Sequence, residues 1–124
     1  MKKIPLRYFF RGMMIYDLTS ENAGKFFRLH PEINEYEFVA ECQIMQSFQE
    51  IDCKGRLIYT GDIVKIVKQN HILFGNRFVV SWNDEIDQFM PFGVFIDSGQ
   101  DCEVMGNVYE NPEIKVFRND HVSI

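Results

Sequence analysis

A glycine–aspartate turn runs directly into a β-branched stretch near the middle of this chain. Gly61-Asp62 is followed by Ile63-Val64-Lys65-Ile66-Val67, in which four of five residues are Ile or Val. Such side chains lose rotamer freedom in a helix and pack well on a pleated surface, so the stretch predicts a strand. Its apolar residues fall on both faces, which is typical of a barrel strand that bends or is covered on each side.

Similar short runs follow and precede this strand. The further predicted strands are Leu57–Thr60, a run with Phe78, Val80 and Trp82 on one side, a run with Phe92, Val94 and Ile96, and Cys102–Val108. Turn residues separate these runs, and Asn111-Pro112 stops the last one because proline cannot donate to a strand ladder. We therefore predict a mainly β fold with a small, strongly bent barrel over about residues 55–113.

The N-terminal part predicts a β extension. Leu6–Phe10 and Met13–Tyr16 are separated by Arg11-Gly12, which is typical of a hairpin. Asp17–Lys25 predicts a polar loop, and Phe26–Leu29 a brief strand. Over residues 32–48 the apolar positions fit a helix and a strand equally well. We favour a strand from Tyr36 onward, because aromatic and β-branched residues dominate there.

The length of 124 residues predicts one domain. Within it we expect residues 1–50 to form the N-terminal β extension, residues 55–113 the barrel core, and residues 114–124 a C-terminal tail. Arg7 and Arg11 interrupt the apolar run that a signal peptide requires, and nothing approaches a membrane span. We therefore expect a cytoplasmic protein without membrane contact.

Two stretches carry a family resemblance. They are Lys54–Val64, around the Gly-Asp turn, and Gly106-Asn107-Val108-Tyr109-Glu110-Asn111-Pro112-Glu113. With Phe78–Glu85 and the Arg7-Tyr8-Phe9 segment, they make the chain resemble the YopX-like protein family of bacteriophages and prophages. It departs from the family's Gln-Tyr-Thr-Gly-Leu segment, where it has Gln46-Ser47-Phe48-Gln49-Glu50. The resemblance implies an SH3-type barrel with an added N-terminal β element, made inside an infected or lysogenic bacterium, and it implies no activity.

The ionisable residues predict no catalytic residue, no metal ligand and no cofactor. Three cysteines (Cys42, Cys53 and Cys102) without a Cys-x-x-Cys pair indicate free thiols. The three histidines (His30, His71 and His121) lack the spacing of a zinc site. A nucleophilic pair of Cys102 with His71 is disfavoured, because neighbouring acidic residues raise the pKa of a thiol. Carboxylates near residues 84–87 and 97–103 fall in predicted turns, so we expect a non-enzymatic protein.

The candidate interaction surface consists of Tyr59, Trp82, Phe89 and Phe92. Aromatic residues near loop mouths of small barrels bind peptides or nucleic acid. For Trp82 itself we favour the interpretation that it shares the core-facing side with Phe78 and Val80.

The net charge of −5 suits a basic protein partner and disfavours nucleic acid. We expect contact with a host or phage protein, or self-association through an N-terminal patch of Tyr8, Phe9 and Phe10. The alternative is a nucleic-acid-binding barrel that uses Lys65, Lys68 and Arg77 with Trp82.

Overall fold

The structure is a computed structural model that describes residues 4–117. The described residues form nine strands, two α-helices and one short 3₁₀ turn, Gly99–Asp101. In chain order these are β1 Leu6–Phe10, β2 Met13–Tyr16, α1 Ala23–Leu29, α2 Glu35–Glu41, β3 Gln43–Ile51, β4 Leu57–Tyr59, β5 Asp62–Ile66, β6 Arg77–Val79, β7 Ser81–Asn83, β8 Gln88–Met90 and β9 Cys102–Asn107. The mainly β prediction is confirmed. His121 and most of the predicted tail lie outside the described residues.

The chain divides into two compact units between Gln46 and Ser47, within β3. The first unit is built on the predicted hairpin, in which β1 pairs antiparallel with β2 and Phe10 lies opposite Met13. The first half of β3 pairs with the other edge of β1. A small core of Phe10, Ile15, Ile33 and Phe38 holds this unit together. Neither helix of the described chain has the length and apolar character needed to cross a bilayer.

The hairpin turn is fastened to helix α2 by one arginine. Arg11 and Gly12 both have positive φ, as a two-residue hairpin turn requires. The Arg11 guanidinium donates to Glu37 Oε2 at 2.6 Å and to Glu41 Oε2 at 2.8 Å, one helical turn apart on α2. These two carboxylates raise the pKa of Arg11 above its ordinary value.

The predictions of a strand at Phe26–Leu29 and of a strand from Tyr36 onward are wrong. Phe26–Leu29 lies in α1, and the chain from Tyr36 to Glu41 lies in α2. The N-cap of α2 is Asn34, whose side chain accepts from the Glu37 N–H at 3.0 Å. Phe38 is buried between the rings of α1 and β1, while Tyr36 and Val39 are exposed. The helical pattern therefore prevails over the strand pattern in this segment, because the helix buries the Phe38 ring against its aromatic neighbours. A strand does follow, but it begins at Gln43.

The second unit is a curled, barrel-like arrangement of short antiparallel strands. Strand β5 is the centre of a three-stranded sheet, with β6 on one edge and β9 on the other. Strand β4 pairs with the second half of β3, and β7 pairs with β8. The core of the unit contains Ile58, Val64, Ile66, Phe78, Val80, Phe92, Ile96 and Cys102. The predicted strands at Leu57, Ile63 and Cys102 are thereby confirmed.

The middle of the predicted barrel differs from the expectation at two points. The run from Phe78 to Trp82 breaks at Val80, where the Val80 N–H donates to the Asp62 C=O and the chain leaves β5. Phe78 and Val80 are buried, but Trp82 is 46% exposed, so the expectation that it shares their core-facing side is wrong. The predicted strand from Phe92 to Ile96 is a tight turn after Pro91, which has no N–H to donate.

A bulge in β3 marks the place where the chain departs from the family pattern. Ser47 lies opposite Tyr59 and Ile51 opposite Leu57, so three residues of β3 lie across from the single residue Ile58. Gln49 has φ +66° within this bulge, and its N–H donates to Ser47 Oγ at 3.0 Å. Gln49 thus has a backbone conformation that favours glycine.

The positive φ of Gln49 is a strained conformation for a residue with a side chain, and replacing Gln49 by glycine relieves this strain. A side chain in the left-handed region costs roughly 1–2 kcal/mol, and the added freedom of an unfolded glycine returns about half of that. We expect Gln49→Gly to raise the free energy of unfolding by about 0.5–1 kcal/mol, measured by urea unfolding followed through Trp82 fluorescence. Gln69→Gly, at an exposed position with ordinary φ, is the matched control and lowers it slightly. A loss of stability in Gln49→Gly would contradict this account of the bulge.

A fully buried carboxylate joins the turn after β3 to β9. Asp52 Oδ1 accepts from the N–H groups of Lys54 and Arg56, and Oδ2 accepts from the Val104 N–H at 2.8 Å. Burial by itself raises the pKa of Asp52, but these three hydrogen bonds and the charge of Arg56 outweigh it and hold the pKa below its ordinary value of 3.8.

Asp52→Asn places an amide N–H₂ against at least one of these N–H donors. Since hydrogen bonds to charged groups contribute about 1.5–3 kcal/mol, we expect a loss of about 2–3 kcal/mol at neutral pH. The lowered pKa means that the folded state favours the carboxylate. Its stabilisation is therefore complete above the ordinary pKa of 3.8 and is lost as the pH falls below it. Urea unfolding of the parent and of Asp52→Asn between pH 3 and pH 7 measures the loss of stability and its pH dependence. An equal free energy of unfolding for the two proteins at pH 7 would contradict this role of Asp52.

Candidate interaction surface

The hairpin β7–β8 presents the tryptophan of the chain. Trp82 lies directly opposite Phe89, and Asn83 opposite Gln88. Asn83 is buried, and its Oδ1 accepts from the Glu85 N–H at 2.9 Å, which shapes the four-residue loop from Asp84 to Asp87. Asp87 completes the loop with φ +48°. Local turn chemistry therefore fixes the register that brings Trp82 and Phe89 together.

Four aromatic rings connect the exposed hairpin to the core of the second unit. Trp82 packs edge-on against Phe89 with ring centroids 4.7 Å apart, and Phe89 stacks on Phe48 at 4.4 Å. Phe48 in turn contacts Phe92 at 5.2 Å, and Phe92 belongs to the core. We call Trp82, Phe89, Phe48 and Phe92 the aromatic row. Aromatic pairs at these distances contribute about 0.5–1.5 kcal/mol each beyond the area they bury.

The four residues of the predicted interaction surface differ in their solvent exposure. Trp82 is 46% exposed, Phe89 is half-buried, and Phe92 is 5% exposed. Tyr59 is 8% exposed and lies in β4, so it is not part of an open surface. The structure brings Trp82, Phe89 and Phe92 into one row, and it adds Phe48, which the sequence did not suggest. The bulge in β3 re-aims Phe48, and strand alternation alone does not reveal such a change.

The loop of this hairpin is strongly acidic. Asp84, Glu85 and Asp87 are all exposed, and the Trp82 indole N–H donates to Asp84 Oδ1. Residues 81–90 contain no lysine or arginine. Residues 47–124 hold twelve acidic and seven basic residues, so the whole net charge of −5 belongs to the second unit. The exposed aromatic ring therefore lies in a hairpin that carries three exposed carboxylates and no positive charge of its own.

An acidic residue borders two members of the predicted basic stripe. Lys65 lies opposite Arg77 on β6, but on its other side it lies opposite Glu103 on β9. Glu103 Oε2 accepts from the Arg56 guanidinium at 3.2 Å. Lys65 and Arg77 are therefore adjacent cations with Glu103 on one side of them, and Trp82 belongs to a separate hairpin.

Cys102 and His71 occupy structural positions. Burial raises the pKa of the Cys102 thiol to about 12, and the charge of Asp52 adds to that effect. His71 Nε2 lies 2.7 Å from the Phe95 C=O, and Nδ1 accepts from the Leu73 N–H at 2.9 Å. Both ring nitrogens thus bond to the backbone. Among residues 4–117 no three His, Cys, Asp or Glu side chains converge as a metal site would require.

The two stretches that carry the family resemblance meet in space. Asp62 lies opposite Asn107, and the Val108 N–H donates to the Gly61 C=O at 2.9 Å. Asn107 Oδ1 accepts from the N–H groups of Tyr109 and Glu110, which builds the turn after β9. Both stretches thus contribute turns at one end of the same strand pair.

The model of the protein family described as YopX protein matches residues 13–114, which span both units. The chain belongs to the YopX family. No curated protein matches the chain. The predicted resemblance is therefore confirmed, and the origin in a phage or prophage stays a prediction.

The aromatic row predicts that Phe48 supports the exposed tryptophan. Phe48→Ala removes the ring between Phe89 and Phe92, and because Phe48 is half-buried we expect a loss of about 2–3 kcal/mol in unfolding free energy. Acrylamide quenching of Trp82 fluorescence in the folded protein should increase. Ile72→Ala, at a side chain that is 95% exposed, is the control and should change neither quantity. Unchanged quenching in Phe48→Ala would show that the row does not hold Trp82.

Proposed function

We propose that this YopX family member is a non-enzymatic binding protein of a phage or prophage. It acts in the cytoplasm of the bacterial host by contacting another protein through the β7–β8 hairpin. The observation that carries this proposal is the 46% exposure of Trp82 at the end of the aromatic row. Tryptophan is strongly enriched among the residues that dominate binding energy in protein interfaces.

The anchoring of the hairpin supports a binding role. A ring that already packs on Phe89 and donates to Asp84 loses little rotational freedom when a partner covers it. Ordering a free side chain at an interface costs roughly 0.5–1.5 kcal/mol, and this cost is largely avoided here. The loop side chain Ile86, which is 52% exposed, adds apolar area at the same end of the hairpin.

The charge distribution favours a different protein over a second copy as the partner. Two hairpins of this chain facing each other bring six carboxylates together, since each loop carries Asp84, Glu85 and Asp87. The N-terminal patch also offers less than expected for self-association, because Phe10 is buried and Tyr8 and Phe9 are half-buried.

Nucleic-acid binding is the second candidate, and one observation favours it. Lys65 and Arg77 are cross-strand neighbours on β5 and β6, so two cations do lie together. Binding through them would weaken steeply with salt, because it would release counterions from phosphates. The neighbouring Glu103 and the net charge of −5 favour the protein-binding proposal.

Affinity capture from host lysate tests the proposal. We expect the parent protein and the control variant Ile72→Ala to retain the same protein, and Trp82→Ala to retain at least about tenfold less of it, because truncating a central interface aromatic costs about 2 kcal/mol or more. Far-UV circular dichroism confirms that Trp82→Ala is folded. Equal retention by Trp82→Ala, or retention of nucleic acid in place of protein, would contradict the proposal.

A further inference from the structure

We propose that the β7–β8 hairpin binds an arginine side chain of a basic partner segment, with the guanidinium held between the Trp82 ring and the loop carboxylates. This inference rests on the proposed function and names the chemistry of the partner.

The orientation of the Trp82 ring is fixed from two directions. Phe89 packs against it with ring planes 64° apart, and Asp84 Oδ1 accepts the indole N–H. About half of the side chain still faces solvent. The ring is therefore held in place, and its own hydrogen-bond donor is occupied. The exposed part offers a π surface, and the chemistry that a π surface recognises best is a cation.

The surrounding charge selects a positive ligand. Asp84, Glu85 and Asp87 lie within five residues of Trp82 and are exposed, and residues 81–90 carry no positive charge. Phosphates and acidic peptides are repelled by this arrangement. A cation over the indole gains both the ring quadrupole, about 0.5–2 kcal/mol, and the attraction of the carboxylate that the indole N–H already contacts.

Arginine fits this arrangement better than lysine. Its guanidinium is planar, stacks on aromatic faces and presents several donors in one plane, so it can cover the indole and donate to Asp84 at once. A lysine ammonium is a compact, strongly hydrated charge without a stacking face. We therefore assign the site to arginine.

Trp82 is also the reporter that makes the test direct. It is the only tryptophan in the sequence, so the protein has one indole N–H resonance and one intrinsic fluorophore of this kind. We choose the probe peptide acetyl-Arg-Gly-Arg-Gly-Arg-amide and its counterpart with citrulline at all three arginine positions. Citrulline keeps the planar shape and most of the donors but lacks the charge.

The experiment is a titration of the full-length protein, followed by the Trp82 indole resonance and by backbone resonances. We expect the arginine peptide to shift the indole and residues 81–90 saturably, with a dissociation constant at least about tenfold lower than that of the citrulline peptide. A lysine version should bind between the two. Equal affinities for the arginine and citrulline peptides, or shifts that cluster outside residues 81–90, would overturn the proposal.

A matched pair of charge variants separates local recognition from net charge. The triple variant Asp84→Asn/Glu85→Gln/Asp87→Asn removes the hairpin carboxylates, and asparagine tolerates the positive φ of Asp87. The control Asp17→Asn/Glu32→Gln/Glu113→Gln removes three exposed carboxylates elsewhere. We expect the hairpin variant to lose at least about fivefold in affinity and the control to lose less than about twofold. Equal losses would show that only the overall charge attracts the peptide.

Failure here is distinguishable from failure of the proposed function. If Trp82→Ala loses a captured host protein while the hairpin charge variant and the arginine peptide show no effect, the binding function stands and the arginine assignment falls. If a single-stranded DNA oligonucleotide, added in the absence of the peptide, shifts the Trp82 indole resonance saturably, the site is a nucleic-acid site and the assignment also falls.

Discussion

The antiparallel pairing of β5 with β9 is the interaction on which the second unit depends. It joins Asp62 to Asn107 and so closes a long stretch of chain. The turns on either side make this closure stable, because side chains satisfy backbone groups that would otherwise be buried without partners. Asp52 accepts from Val104 on β9, and Asn107 accepts from Tyr109 and Glu110. Both stretches that carry the family resemblance, at Asp62 and at Asn107, thus take part in the closure of the fold.

The exposed hairpin begins where the pairing of β6 with β5 ends. Val80 bonds back to Asp62 and Gly61, which ends the run that packs on β5 and sends the chain into β7. From that point the alternation of buried and exposed residues starts again, so Trp82 faces outward while Phe78 and Val80 remain in the core. The bulge of β3 places Phe48 behind the hairpin. The β7–β8 hairpin therefore presents a supported, shallow surface.

The sequence predicted what local chemistry decides. The β-branched run at Ile63 and the Arg11-Gly12 turn led directly to β5 and to the first hairpin. The prediction from sequence was wrong where tertiary packing determines the secondary structure. Helices α1 and α2 are seven residues each, too short to be stable alone, and they form because Phe26, Phe27 and Phe38 pack together. The candidate interaction surface was predicted only in part, since Tyr59 and Phe92 are buried. Phe48, the member of the aromatic row that was not predicted, depends on a bulge that no alternation pattern encodes.

The central claim is that Trp82 is an exposed side chain held rigidly by its neighbours. Nitrogen-15 relaxation of the Trp82 indole N–H measures this directly in the free protein. We expect an order parameter of about 0.8 or higher, similar to that of rigid backbone, despite the 46% exposure of the side chain. An order parameter below about 0.6, typical of a freely moving group, would contradict the claim that the aromatic row pre-organises the surface.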